Sequence, residues 1–319
     1  MYKYNKNDLD VLATNTAFVR DNLEKVLRLC DILQYINANP LLYNHLALKG
    51  GTAINLVVFN LPRLSVDIDL DFTKHCSREE MFALREQINN DIVKYMTSQG
   101  YQLNPSSKNP HSLDSWVYFY QNAVGNNDNI KIEINYSMRD HVFEPIDKEV
   151  NIPSLSVLFQ VRTLANAELF GSKIKALIER TATRDLYDVY TMLKQGIFSD
   201  SEQQILRKTV LFYLAVGGNT PPLNAYRFDA VDNLNFNQIK RKLIPVLKKS
   251  DKFDFEAAKS EVKEYLSELM ILTDKERQFV EKFNQGIYHP ELLFDEPEIV
   301  DRIKNHPMAI WKCSLSKTD

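Results

Sequence analysis

Three aspartates alternate with apolar residues in the short segment "SVDIDLDF", and carboxylates so placed could bind metal ions. Asp67, Asp69 and Asp71 are separated by single apolar residues, which is the period of a β-strand. Residues two apart in a strand share a face about 6.5–7 Å apart, so the segment predicts a one-sided acidic row. Divalent cations offset the repulsion in such a row, and Mg²⁺ prefers oxygen ligands. An ordinary half-exposed strand can show the same alternation, and this alternative stays open.

A glycine pair lies upstream of the aspartates, in "LKGGTAIN". Gly50 and Gly51 would let the backbone approach a phosphate closely, and Thr52 starts a predicted helix whose free N–H groups face an anion. Pro62 ends that helix. A lone glycine pair is more often a simple turn. A glycine turn, a helix and an acidic strand in this order predict a nucleotide site.

A later strand, predicted over residues 129–136, offers a third carboxylate. Its isoleucines fall on one face, and Lys131, Glu133 and Asn135 fall on the other. Two aspartates with a third carboxylate from another strand suit two-metal nucleotidyl transfer, with metals about 3.5–4 Å apart. Glu133 is therefore the candidate third ligand, although "KIEIN" also fits any solvated strand face.

The C-terminal half supplies candidate cations on two predicted helices. Lys173 and Arg180 are seven residues apart and share a helix face, and a lysine suits nucleotide phosphates. Arg184 and Asp188 are i,i+4 neighbours on the next helix, and Asp185 lies near its start. Ion pairs of this kind on helix surfaces are common and contribute little, so a structural role stays open.

Composition limits the class of protein. The chain has 319 residues, of which 44% are hydrophobic, so it is globular and long enough for two subdomains. It lacks an apolar run long enough to span a bilayer, and its N-terminus lacks the apolar core of a signal peptide. Three cysteines favour a reducing compartment over a disulfide framework. A net charge of −3 gives no global nucleic-acid signal, so any RNA-binding surface must be local.

The order of predicted elements gives the fold class. Apolar residues recur at helical spacing over residues 9–36, and strands follow near 65–72, 115–121 and 129–136. Ser77 is the predicted N-cap of a helix that runs to about Met96. From Leu164 the pattern is helical, with further helices near residues 200–215, 236–249, 254–270 and 273–286. We therefore predict an α+β chain with a sheet-containing domain over residues 1–160 and a helical domain over residues 161–319.

The assembled motifs resemble the AbiEii/AbiGii toxin family of nucleotidyltransferases, which includes the MenT toxins. The matching stretches lie between residues 48 and 312 and read "LKGGTAINL", "RLSVDIDLDF", "IKIEIN", "KIKALIERTATRDLYDVY" and "HPMAIWK". The resemblance implies a DNA polymerase-β-like nucleotidyltransferase core with a mixed sheet, followed by an α-helical C-terminal domain. Family members are toxins of bacterial toxin–antitoxin or abortive infection systems, and some transfer nucleotides from an NTP to the 3′ end of tRNA. The spacing from Gly51 to Asp67 is long for the wider superfamily.

The resemblance also implies roles for individual residues. The metal ligands for Mg²⁺ (or Mn²⁺) are Asp67, Asp69 and Glu133. The catalytic set adds Lys173 and Asp188. The nucleotide-binding residues are Gly50, Gly51, Thr52, Ser65, Lys173, Arg180 and Asp185. In some relatives a hydroxyl at the Ser65 position receives phosphate from an antitoxin, and Asp71 is expected either to support the other carboxylates or to face solvent.

The implied partners are an NTP, an RNA acceptor such as tRNA and a cognate antitoxin, with no membrane, and the implied location is cytoplasmic. Two alternatives remain. The same fold could modify a protein hydroxyl or a small molecule such as an aminoglycoside, or the chain could be a catalytically idle binding protein.

Overall fold

The computed structural model describes residues 4–107 and 112–316, which form two compact units. The first unit comprises residues up to 139 together with residues 145–164 and 245–251. The second comprises residues 140–144, 165–244 and those from 252 onward. The chain therefore passes more than once between the two units. The domain boundary after residue 160 stays a prediction.

Within the described residues, the first unit contains a seven-stranded mixed sheet with the strand order β3-β4-β5-β2-β1-β7-β6. Strand β2 is antiparallel to β1 and parallel to β5, and β1 is parallel to β7. The strands are β1 Leu46–Lys49, β2 Asp67–Phe72, β3 Gln102–Leu103, β4 Leu113–Gln121, β5 Asn127–Asn135, β6 Ile146–Ile152 and β7 Val157–Thr163. The mixed sheet predicted from the sequence is confirmed.

Strands β1, β3, β6 and β7 have no counterpart among the predicted strands. Strand β6 pairs only with β7 among the described strands and is the last in the sheet order. Most of its residues are exposed, with Val150 and Ile152 buried. An edge strand of this kind carries little of the apolar alternation on which sequence-based recognition depends.

Five helices accompany the sheet within the described residues: α1 Lys6–Thr16, α2 Arg20–Ala38, α3 Pro40–His45, α4 Gly50–Ala53 and α5 Arg78–Ser98. The helical pattern predicted over residues 9–36 is divided at Ala17, which has a left-handed backbone with φ 60°. Helix α4 continues as a π-helical turn, Ile54–Val58. The predicted N-cap of α5 is confirmed, because Ser77 accepts a hydrogen bond from the Glu80 N–H.

The apolar face of β2 fixes which way its aspartates point. Ile68 lies opposite Ile132 of β5 and Leu70 lies opposite Ile134, and all four side chains are almost fully buried. Each such side chain stabilises the fold by about 1.5–3 kcal/mol. A one-residue slip would place carboxylates in this layer, so the aspartates are held on the opposite face.

The second unit is helical within the described residues, as predicted. Its α-helices are α6 Asn166–Arg180, α7 Thr183–Lys194, α8 Gln203–Gly217, α9 Phe236–Lys242, α10 Phe255–Leu269, α11 Asp274–Asn284, α12 Pro297–Ile303 and α13 Pro307–Leu315. The helix predicted over residues 236–249 is wrong in its length. Helix α9 ends at Lys242 because Pro245 disfavours the helical conformation of the residue before it. Nowhere in residues 4–107 and 112–316 is a helix both long and apolar enough to cross a bilayer.

Candidate active site

The acidic row (Asp67, Asp69 and Asp71) lies between two strands that each contribute a lysine. Lys49, the last residue of β1, is the register partner of Asp69. In β5, Lys131 is the partner of Asp67, and Glu133 is the partner of Asp69. Paired residues of neighbouring strands point to the same face. The sheet therefore brings the predicted third carboxylate beside the aspartates.

The turn at Gly50 touches the middle aspartate directly. Gly50 has φ +70°, and a Cβ built on it would lie 2.6 Å from the Oδ2 atom of Asp69. A side chain at residue 50 would therefore be strained by the backbone and would also collide with that carboxylate. The contact joins two motifs that the sequence placed nineteen residues apart, and it explains why a glycine is needed here.

The second glycine is enclosed by polar side chains. A Cβ at Gly51 would lie 3.0 Å from both the Nη2 atom of Arg63 and the Oγ atom of Ser65. Arg63 is buried and donates through Nη1 to the Leu64 carbonyl at 3.0 Å. Thr52 is buried, and its hydroxyl donates to the backbone carbonyl of Asp67. These contacts fix the glycine turn against the residues that lead into β2.

Lys131 compensates part of the negative charge on this face. Its ammonium lies 2.8 Å from a carboxylate oxygen of Glu133. Burial opposes the charged form of Lys131, but the hydrogen bond and charge of Glu133 raise its pKa. The charges of Asp67 and Asp69 raise that pKa further. Lys131 thus lies within the field of all three predicted metal ligands.

Asp71 is not a solvent-facing residue, and that part of the expectation is wrong. It is only 2% exposed and forms an ion pair with the Lys49 ammonium. A buried carboxylate needs such a partner. Because Lys49 directly precedes Gly50, this ion pair lies at the end of β1, next to the glycine turn.

The donor set of this face fits a divalent cation held by two carboxylates. Asp67 and Asp69 are half-buried oxygen donors on one face of one strand. Among the described residues, no group of three His, Cys, Asp or Glu side chains converges as a ligand set. Mg²⁺ is usually bound by one or two carboxylates together with substrate phosphates. The pair fits that arrangement, and the predicted role of Glu133 as a third ligand stays a prediction.

The predicted residues of the helical half form an ion-pair cluster in the second unit, here called the helical cluster (Lys173, Arg180, Asp185 and Asp188), of which all but Arg180 are buried. The Lys173 ammonium lies 2.9 Å from Asp185 and 3.0 Å from Asp188. The Arg180 Nε atom lies 2.7 Å from Asp185. Burial would raise the pKa of Asp185, but Lys173 and Arg180 together outweigh burial and lower it. The structure therefore brings all four predicted residues of this half together.

Three residues next to the site were not among the predicted site residues. Lys49 and Arg63 each lie within two residues of a predicted one, and Lys131 shares the polar face of β5 with Glu133. The signal for Lys131 was its alternation with Glu133. Lys49 and Arg63 could not be placed without knowing that β1 neighbours β2 and that the chain before Ser65 packs on Gly51.

A mixed sheet with a glycine turn against an aspartate row, preceding a helical half, is the arrangement of a nucleotidyltransferase. Residues 31–282 match the family model described as the nucleotidyl transferase AbiEii toxin, type IV toxin–antitoxin system. This range is most of the chain, so the protein belongs to the AbiEii family of nucleotidyltransferase toxins. The family and fold predicted from the sequence motifs are confirmed.

Comparison with solved structures supports the same fold. The chain is similar to MenT4, a nucleotidyltransferase toxin from Mycobacterium tuberculosis H37Rv, with a TM-score of 0.59 and 15% sequence identity. The match covers 95% of this chain and 98% of that one. At this identity the likeness carries the fold alone. The comparison with curated proteins gives no significant match.

Proposed function

We propose that this nucleotidyltransferase transfers a nucleoside monophosphate from an NTP to the 3′-hydroxyl of an RNA, with tRNA as the acceptor. The observation that carries the proposal is the contact between the Gly50 turn and the Asp69 carboxylate. It places a backbone suited to phosphates beside a pair of carboxylates suited to a divalent cation. Phosphates and cations must meet in this way in nucleotidyl transfer.

Asp67 and Asp69 would hold Mg²⁺ or Mn²⁺, which when bound neutralises phosphate charge and polarises the attacking hydroxyl. The residues of the chain have separate tasks. Gly50 and Gly51 would admit the triphosphate close to the backbone, and Asp69 would supply carboxylate oxygens to the cation. The acceptor hydroxyl loses its proton, with Glu133 as the proposed base, and its oxygen forms a bond to the α-phosphorus. The bond from that phosphorus to the β-phosphate bridge breaks, and pyrophosphate leaves.

We propose that Lys131 helps to attract the nucleotide. It binds Glu133 in the structure, and its charge would favour the negatively charged triphosphate. We also propose that Thr52, Ser65, Arg180 and Asp185 bind the nucleotide, and that Lys173, oriented by Asp188, neutralises charge on the triphosphate. A raised KM for NTP in a Lys173→Met variant that still folds would support a contact with the triphosphate.

Transfer of label tests the function. The full chain is incubated with each NTP labelled at its α-phosphate, with Mg²⁺ and total tRNA, and RNA and protein are then separated. We expect label on tRNA, and we expect Asp69→Asn to lower the initial rate by about 10²- to 10³-fold, the scale of losing one group that stabilises charge in the transition state.

Glu149→Gln is the matched control, because Glu149 is an exposed strand carboxylate on β6, three strands from β2 in the sheet order. It should leave the rate unchanged. Label on polypeptide or on an added aminoglycoside, and none on RNA, would instead support the alternative acceptors. Full transfer by Asp69→Asn would remove the metal assignment. The alternative of a catalytically idle protein is set aside, because the chain belongs to a nucleotidyltransferase family.

The remaining parts of the proposal concern partners and location. The family description implies a toxin–antitoxin system, so a cognate antitoxin is the proposed partner. We place the protein in the cytoplasm, where NTPs are available. Cys30, Cys76 and Cys313 are not joined by disulfide bonds.

A further inference from the structure

A cavity in the second unit has no role in the scheme above. Its volume is about 470 Å³, within the range of small-molecule sites. Helix α13 forms one wall with Met308, Trp311 and Leu315, and the segment after helix α8 forms the other. Phe283 of helix α11 also lines it.

The wall after helix α8 is held in place by polar contacts. Lys312 donates through Nζ to the Ala215 carbonyl at 2.9 Å and also to the Gly218 carbonyl. The N–H of Asn219 donates to Glu179 at 2.9 Å. A Cβ at Gly218 would lie 2.2 Å from the Leu214 carbonyl oxygen, so only glycine fits. The wall is thus built before any ligand arrives.

Helix α13 presents an indole to this cavity. Ala309 and Cys313 form the buried face of the helix. Trp311 is 52% exposed although it is the largest side chain of the helix. An indole that lines a cavity and keeps half of its surface uncovered can stack on a flat ring. Base–aromatic stacking is a main source of affinity for unpaired bases.

The rest of the lining suits the edge of such a ring. Asn219 and Asn284 bring carboxamides, which both donate and accept hydrogen bonds. The Asn284 amide is oriented by donating to the Pro222 carbonyl at 3.0 Å. Lys312 is half-buried, and burial, followed by the charge of Lys175, lowers its pKa.

We propose that this cavity binds the base of a nucleotide, stacked on Trp311 and contacted at its edge by Asn219 and Asn284. An apolar peptide side chain would cover the indole but could not exchange hydrogen bonds with either carboxamide. The base could belong to a free NTP or to an unpaired nucleotide of RNA, and in the second case the inference rests on the proposed function.

Binding is measured on the full chain with EDTA present, so that no transfer occurs. Trp311 emission is followed while ATP, GTP, CTP, UTP or a short single-stranded RNA is added. The chain has two tryptophans, and Trp116 is only 2% exposed, which makes it a buried internal reference. We expect saturable quenching, by RNA alone if the site takes the acceptor and by an NTP if it takes the substrate.

Equilibrium dialysis of the same ligands gives affinities that do not depend on the indole signal. Trp311→Leu should weaken binding about 5- to 150-fold, the loss expected for one stacked base, and Trp311→Phe should retain most of it. Ile310→Ala is the matched control, since Ile310 is equally exposed on the same helix but does not line the cavity. Thermal melting verifies that each variant folds.

The inference is overturned if no nucleotide or RNA binds, or if Trp311→Leu binds as tightly as the unaltered protein. Its failure can be separated from failure of the proposed function. Binding without metal is independent of transfer, so absent labelling with intact Trp311-dependent binding removes only the transfer proposal. If tRNA is labelled but Trp311→Leu binds nucleotide and RNA with unchanged affinity, only the proposed base-binding role of the cavity is refuted.

Discussion

The protein contains two lysine–carboxylate clusters that are alike in composition and differ in exposure. In the sheet cluster (Asp67, Asp69, Lys131 and Glu133), the side chains of Lys131 and Glu133 are 37% and 26% exposed. In the helical cluster, Lys173 is 9% exposed and Asp188 is fully buried. Exposed pairs are weak and exchange partners readily, whereas buried pairs are costly to break. We therefore expect the sheet cluster to exchange ligands readily and the helical cluster to contribute more to stability.

Breaking the helical cluster should have the largest effect on stability. Lys173→Met leaves Asp185 and Asp188 buried without their shared cation. We expect the free energy of unfolding, measured in urea, to fall by about 3–5 kcal/mol. Lys194→Met is the control, because Lys194 pairs with Glu261 at the surface, and it should change stability little. Equal losses in the two variants would contradict the comparison.

A methyl group at Gly50 should disturb the sheet cluster at its contact with Asp69. Gly50→Ala strains a backbone at φ +70° and displaces the carboxylate. A displacement near 1 Å at a reacting centre can cost about 10²-fold in rate, and we expect a loss of that size in the labelling assay. Gly125→Ala shares the strain, at φ +83°, but meets no atom within 4 Å. Its transfer rate should be retained even though its stability falls.

Removing Lys131 should sharpen the assignment of the sheet cluster to ligand exchange. Lys131→Met releases Glu133 and deletes a positive charge beside Asp67 and Asp69. Calorimetric titration with Mn²⁺ should show affinity raised about tenfold, a modest gain because solvent screens an exposed lysine. Lys148→Met on strand β6 is the control. Unchanged affinity would mean that Lys131 does not compete with the cation.

The smallest effect is expected where the helical cluster reaches the surface. The Arg180 side chain is 64% exposed, so Arg180→Ala should lower stability at neutral pH by at most about 1 kcal/mol. The pKa of Asp185 is lowered in the folded state. Its contribution is therefore full above its unfolded pKa of about 4 and is lost as the pH falls below it. Without Arg180 that acid-induced loss should be smaller, as measured by urea unfolding at several pH values.

The sequence was sufficient to predict the acidic row and the side of strand β2 on which it lies, because alternate side chains of a strand point to opposite faces. Ile68 and Leu70 must be buried, so Asp67 and Asp69 must lie opposite. The same reasoning placed Glu133 on the polar face of its own strand. Which strands are neighbours is a property of the whole chain, so the Lys49–Asp71 ion pair and the register of Asp69 with Glu133 needed the structure.

The helical cluster shows where helix periodicity stops being informative. Lys173 and Asp185 lie on different helices, which are joined by a short turn in which Thr181 has a left-handed backbone with φ 45°. Threonine rarely adopts this conformation. Spacing along one helix suggested surface pairs, whereas the turn creates buried ones. Because threonine gives no sequence signal for a left-handed turn, the Lys173–Asp185 ion pair could not be predicted from the sequence.

The segment over residues 245–251 limits how this protein can be shortened. Val246 accepts a hydrogen bond from the Leu64 N–H at 2.8 Å, and Leu247 forms a β-bridge with Arg63. Both contacts support the chain just before Ser65 and Asp67. A fragment ending near residue 164 would lack residues 245–251 and both of these contacts. Experiments on the isolated first unit should therefore supply this segment as a peptide or fuse it to the fragment.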